Sequence, residues 1–120
     1  MKKEVILKTK SFAFAVRITR LYKYILENKQ EYILNTQLLR SGTAIGALVM
    51  EAQNAESTAD FIHKLAIAQK ECDETIYWLE LLKQTDYISK KEFDSINKDP
   101  LELLKMISSA ILTVKKTQRS

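Results

Sequence analysis

The stretch Gln37–Ala52, QLLRSGTAIGALVMEA, decides the fold. Leu38, Ile45, Val49 and Ala52 recur at spacings near 3.5 residues, and Leu39, Gly42, Gly46 and Met50 form a second apolar or small stripe beside them. A helix apolar over so much of its circumference has to be covered on more than one side, so this is the buried helix of an all-α domain. Gly42 and Gly46, the two glycines of the chain, stand four residues apart on that helix, where a missing side chain lets another backbone approach. The stretch predicts a helix from about Ile33 to Ala55, entered through the turn NKQEY at residues 28–32. Gln37, Arg40, Ala44, Ala47 and Glu51 line its more polar face. Arg40 and Glu51 are three turns apart, too far to pair within the helix, so each is expected to meet another helix or another subunit.

Working outward, Phe14, Ile18, Leu21 and Ile25 form the seam of a preceding helix, predicted to start between Thr9 and Phe12 with Thr9 or Ser11 as its cap and to end near Asn28. Downstream, STAD at residues 57–60 offers a capping hydroxyl and an acid three residues later, opening a third helix that runs to about Thr85. Its seam is Phe61, Leu65, Ala68, Cys72, Thr75 and Leu79. The adjacent Tyr77 and Trp78 point about 100° apart, which puts one in the core and the other at a subunit or partner contact. Ser89 and Glu92 make a second capping box for a short helix ending near Asn97. Asp99 followed by Pro100 reads as the start of the last helix, which carries Leu104, Ile107, Ile111 and Val114 to about Lys116. The prediction is therefore a single domain over residues 1–120, an antiparallel up-down-up-down four-helix bundle with a short extra helix before the last one.

Composition agrees with this and narrows the function. The 120 residues are 46% hydrophobic and 28% charged with a single proline, enough for a real core without staples. The lone Cys72 falls in a helical seam and is expected to be a small buried hydrophobe in a reduced, cytoplasmic setting. The run MKKEVILKTK is too short in apolar residues for a signal peptide, and Ala44–Met50 falls far short of the ~20 residues of a membrane span. A di-metal carboxylate centre needs two Glu-x-x-His motifs, whereas His63 is the one histidine, so no metal or other cofactor is expected. Glu71 and Glu74, one turn apart, read as a solvated pair, and no nucleotide loop or catalytic triad motif is present. Nothing here supports an enzyme.

The net charge of +4 is unevenly spread: +6 up to Arg40, −5 from Ser41 to Asp86, and +3 thereafter. Basic outer helices around an acidic middle suit either an anionic partner or self-association. Lys10, Arg17, Arg20 and Tyr24 share one face of the first helix, where cations could meet phosphates and the tyrosine could stack on a base; Lys115, Lys116 and Arg119 add a basic tail. The competing interpretation is an ordinary solvated face.

With these residues in view, QLLRSGTAIGALVMEA and STADFIHKLAIAQKECDETIYWLELL together resemble the family of 23S ribosomal RNA intervening-sequence proteins. Gln37, Arg40, Ser41, Ile45, Glu51, Phe61, Lys64, Ala68, Lys70, Glu71, Glu74, Tyr77, Trp78 and Leu82 carry the resemblance. The chain departs from it at Ala44 and Leu48, where a serine and an asparagine are common. The resemblance implies an antiparallel four-helix bundle assembled as a homopentamer, and the related accessory proteins of diversity-generating retroelements imply contact with nucleic acid. Two functions are carried forward: a non-enzymatic oligomeric module that binds RNA or other nucleic acid, and a protein-interaction scaffold without a nucleic-acid role. For subunit or partner contacts the candidates are Arg40, Gly42, Gly46, Glu51, Tyr77 and Trp78.

Overall fold

A computed structural model describes the backbone of residues 2–119 and the side chains of residues 2–117. Four helices follow one another, α1 (Lys2–Lys29), α2 (Ile33–Gln53), α3 (Thr58–Gln84) and α4 (Lys90–Arg119). Each packs on its sequence neighbour, and α1 closes the ring against α4. The result is an antiparallel four-helix bundle, 52 × 22 × 20 Å, whose long axis follows the helices.

The core is one cluster that draws on all four helices. Phe14, Ile18 and Ile25 of α1 meet Leu38, Ile45 and Val49 of α2, Leu65, Cys72, Leu79 and Leu82 of α3, and Leu103 and Ile107 of α4. The seams read from spacing in α1 to α3 are buried as expected, with Leu21 and Phe61 half-buried at their margins. Burial pushes the Cys72 thiol up to about 12, reinforced by the charges of Asp73 and Glu71, so this side chain is a thiol packed as a hydrophobe.

Helix starts and stops follow local chemistry. Ser57 Oγ accepts from the Asp60 N–H at 3.0 Å to open α3. At α4 the capping box is complete: Ser89 Oγ accepts from the Glu92 N–H at 3.0 Å, and the Glu92 carboxylate accepts from the Ser89 N–H at 2.7 Å. The start of α2 is held by Glu31, whose carboxylate accepts from the N–H groups of Leu34 and Asn35. Gln30 at φ 54° turns the chain out of α1.

The structure departs from the sequence prediction at two helix starts. First, α1 begins at Lys2, seven residues before Thr9, because Leu7 lies seven residues before Phe14 and extends the same buried seam. The hydroxyls expected to cap it sit inside the helix and donate back to its carbonyls, Thr9 to Val5 and Ser11 to Lys8. Second, the separate short helix and the last helix are one, since α4 runs unbroken through Pro100. Pro100 is itself buried, in a seam that runs Phe93, Ile96, Pro100, Leu103, Ile107 and Ile111 at spacings of three and four. Its ring removes one N–H, and the turn is braced from outside: the Arg17 guanidinium reaches the Ser95 carbonyl at 3.4 Å, the Ser95 hydroxyl at 2.9 Å and Asp99 at 2.8 Å. Asp99 is therefore a partner of Arg17, where the sequence suggested a helix cap.

Candidate nucleic-acid interface

The expected basic face of α1 divides in two. Lys10 donates to Glu102 at 2.9 Å and Arg17 to Asp99, so both cations are matched by carboxylates of α4 and help to close the bundle. All four groups are substantially solvated, which limits each pair to about 1 kcal/mol or less. Arg20 and Tyr24 remain open on the surface, Arg20 without an ion pair among the described residues. Lys115 and Lys116 are exposed near the end of α4, likewise without an ion pair among the described residues. Arg119 lies outside the described side chains.

The antiparallel pairing of α1 with α4 creates a second basic grouping that spacing along one helix does not reveal. Because Lys10 faces Glu102 and Arg17 faces Asp99, the start of α1 and the end of α4 share one end of the bundle. Lys2, Lys3 and Lys8 are exposed there, and Lys115 and Lys116 reach roughly one helical turn beyond Lys2 and about two to three turns beyond Lys8. None of these five forms an ion pair among the described residues. The prediction placed residues 1–8 outside the first helix and so missed the three N-terminal lysines; the spacing of Leu7 to Phe14 was the available signal.

The residues expected at contacts have partners within the chain. Gly42 and Gly46 face α1: a Cβ on Gly42 would lie 2.8 Å from Ile18 Cγ2, and one on Gly46 would lie 3.2 Å from the Ser11 carbonyl oxygen. Arg40 reaches across to α3, where it pairs with Glu74 and lies 3.4 Å from Glu71, while Gln37 accepts from its Nε at 3.3 Å. Glu51 pairs with Lys64 of α3 at 3.2 Å. Both charges of α2 thus meet another helix, one of the two outcomes that their separation allowed. Trp78 is half-buried and donates its indole N–H to Glu74 at 3.1 Å, and Tyr77, 59% exposed, stands edge-on to it with centroids 5.0 Å apart. Beneath this network the hydroxyls of Ser41 and Thr75 lie 3.0 Å apart, hydrogen-bonded between two fully buried positions.

The hydrogen bond from Arg40, and after it the one from Trp78, holds the Glu74 carboxyl below its ordinary value, and Glu74 in turn raises Arg40. A lowered carboxyl contributes stability above the ordinary carboxylate range, and that contribution is lost as pH falls through Glu74's own lowered value. Arg40→Gln is expected to shift the Glu74 titration upward, read from the emission of the single tryptophan, Trp78, at a stability cost of about 1 kcal/mol or less. An unchanged emission titration in that variant would refute the coupling.

Among the described residues no group of three or more His, Cys, Asp or Glu side chains could hold a metal ion. Among the described residues no helix is long and apolar enough to cross a membrane.

Compared with known proteins, residues 3–109 match the family model described as 23S rRNA-intervening sequence protein. Among solved structures the chain is similar to a crystal structure from Bacteroides thetaiotaomicron, described as a protein with unknown function from the S23 ribosomal protein family. The two are 50% identical with a TM-score of 0.90, and the match covers 91% of this chain and 97% of that one. A comparison with curated proteins gives no match.

Proposed function

Since the chain belongs to the 23S rRNA-intervening sequence protein family, we propose that it is a non-enzymatic, self-assembling cytoplasmic module that binds RNA or another nucleic acid through its basic bundle end. The observation that carries this reading is the grouping of Lys2, Lys3 and Lys8 of α1 and Lys115 and Lys116 of α4 at one end of the bundle, five exposed cations that no carboxylate neutralises among the described residues. Arg20 and Tyr24 on the flank of α1 extend the surface, the tyrosine as a stacking platform. Lys10 and Arg17 contribute less, because a phosphate would have to displace Glu102 and Asp99.

Self-assembly draws support from the outer side of the α1–α2 pair. Phe12 is 66% exposed, Val5 62% and Met50 52%, large apolar side chains that water does not favour. A homopentamer, as the family resemblance implies, would cover them and repeat the basic end around a ring. Repeated weak patches on one nucleic-acid strand gain avidity without new contacts.

The test is size-exclusion chromatography with light scattering at low salt, recording the 260 to 280 nm absorbance ratio, followed by binding measurements with single-stranded RNA. With about five phosphate contacts, affinity should fall roughly 100-fold between 50 and 200 mM salt. Lys115→Glu with Lys116→Glu should weaken binding about tenfold or more while leaving the melting temperature unchanged. A discrete oligomer that carries no nucleic acid and binds none at low salt would overturn the binding half of this reading in favour of a protein scaffold. A monomer would overturn the assembly half.

A further inference from the structure

At one end of the bundle the core seams of the four helices leave an apolar cleft that no described side chain fills. It is a half-open cleft of about 300 Å³ at the basic end of the bundle, where the first turns of α1 face the later turns of α4 across the ends of α2 and α3. Ile6, Val49, Phe61, Leu65, Met106 and Ala110 form its walls. The Gln53 amide, which also borders it, is occupied by donating to the Glu4 carbonyl at 3.1 Å. Lys3 and Lys105 stand at its edge against one carboxylate, Glu4, and neither lysine forms an ion pair among the described residues.

We propose that this cleft binds a single-chain anionic amphiphile, an alkyl carboxylate whose tail enters between Phe61 and Met106 and whose headgroup is met by Lys3 and Lys105. Three features of the site select that class. The walls offer almost no hydrogen-bond partners, so a polar guest would lose its hydration without compensation, whereas an alkyl chain leaves water for an apolar surface. The volume is twice that of an apolar cavity known to admit benzene; at roughly 30 Å³ per methylene-sized unit it takes about eight to ten carbons, and a two-chain lipid would not fit. The rim is cationic, and so are the surrounding Lys2, Lys8, Lys115 and Lys116, which favours an anionic over a cationic or neutral headgroup. A small, mostly apolar cleft with a few convergent polar groups is the usual form of a ligand site.

The experiment is a titration of the full chain with decanoate below its micelle concentration, followed by calorimetry and by amide chemical shifts. Saturable binding of one molecule per subunit is expected, with shifts concentrated on Ile6, Phe61 and Met106. Decyltrimethylammonium, equal in chain length and opposite in charge, should bind at least about tenfold more weakly. Lys3→Glu with Lys105→Glu, both at exposed positions, should weaken decanoate by a similar factor without changing the melting temperature. Ala110→Phe, which fills the cleft, should abolish binding. The proposal is overturned by the absence of saturable binding, by equal affinity for the cationic amphiphile, or by co-sedimentation with phosphatidylglycerol vesicles where decanoate fails to bind. It is also overturned if Ala110→Phe changes the subunit number and leaves decanoate affinity intact, since a neighbouring copy would then be the occupant.

Discussion

Gly42→Val is expected to cost about 4 kcal/mol or more, a large share of the roughly 5–15 kcal/mol that holds a domain of this kind together. A Cβ at this position would lie 2.8 Å from Ile18 Cγ2, 2.9 Å from Cγ1 and 3.2 Å from Cβ. Ile18 is fully buried, so its branched side chain has no free space to turn into, and α1 would have to lift from α2. Alanine would remove about 1 kcal/mol of glycine's helix penalty yet meet the same contact, so Gly42→Ala should lose about 1–2 kcal/mol in urea denaturation. The double variant Gly42→Ala with Ile18→Ala provides the check on mechanism, because alanine at position 18 removes both γ carbons that meet the new Cβ. If the contact with Ile18 is the cause, the double loss will be smaller than the sum of the single losses. A valine at position 42 that costs under about 1 kcal/mol would show that the two helices separate freely, contrary to the packing described.

The second large effect is expected at Asn35, which is 0% exposed. Its Nδ2 donates to the Tyr22 carbonyl at 2.8 Å, tying α2 to α1, while its Oδ1 has no partner. Asn35→Asp keeps the shape and replaces the donor with a group that ionises. Burial and the facing carbonyl would raise the pKa of the new carboxyl in the folded state above its unfolded value of about 3.9. The folded state then binds the proton more tightly, so stability is retained below about pH 4, where the protonated group can still donate to Tyr22, and declines as pH rises. The decline is about 1.4 kcal/mol per pH unit and should reach about 4 kcal/mol by pH 7 relative to wild type at the same pH. Paired melts of the two proteins across pH 4 to 7 measure it, and a difference that does not depend on pH would show that position 35 is reached by water.

Most of the scaffold was legible because helix periodicity and local capping act over a few residues. Phe14, Ile18, Ile25, Leu38, Ile45, Leu65 and Leu79 are buried where spacing placed them, Ser57 caps the helix it was read to open, and Ser89 is a cap as read but opens the long α4 in place of a short helix. The misreadings have tertiary causes. Asp99–Pro100 has the local form of a helix start, but Arg17, 82 residues away in sequence, binds Asp99 and the Ser95 carbonyl and supports a continuous helix. Asn35 has no role in the sequence analysis, although positions 35, 38, 42, 45, 49 and 52 continue one heptad-like seam in which a buried asparagine can fix the register. The candidate interface was the least legible part. Whether Lys10 or Lys115 is free depends on what the opposite helix presents, and the joint basic end of α1 and α4 exists only once the chain is folded back on itself.

The closure of α1 on α4 also sets an order of events in folding. Its ion pairs join residues 92 and 82 positions apart, whereas α1 with α2 and α2 with α3 are hairpins of neighbouring helices that short connections bring together. Loop-closure entropy therefore favours the three-helix sheet of hairpins first, with the ring sealed late. During synthesis the same sequence of events is imposed by the ribosome, because Asp99 and Glu102 are made after every residue of α1, α2 and α3. For that interval the nascent chain carries an uncovered apolar groove meant for α4, which a copy's α4 can enter before its own is made, so exchange of the last helix between molecules is the misassembly this fold is exposed to.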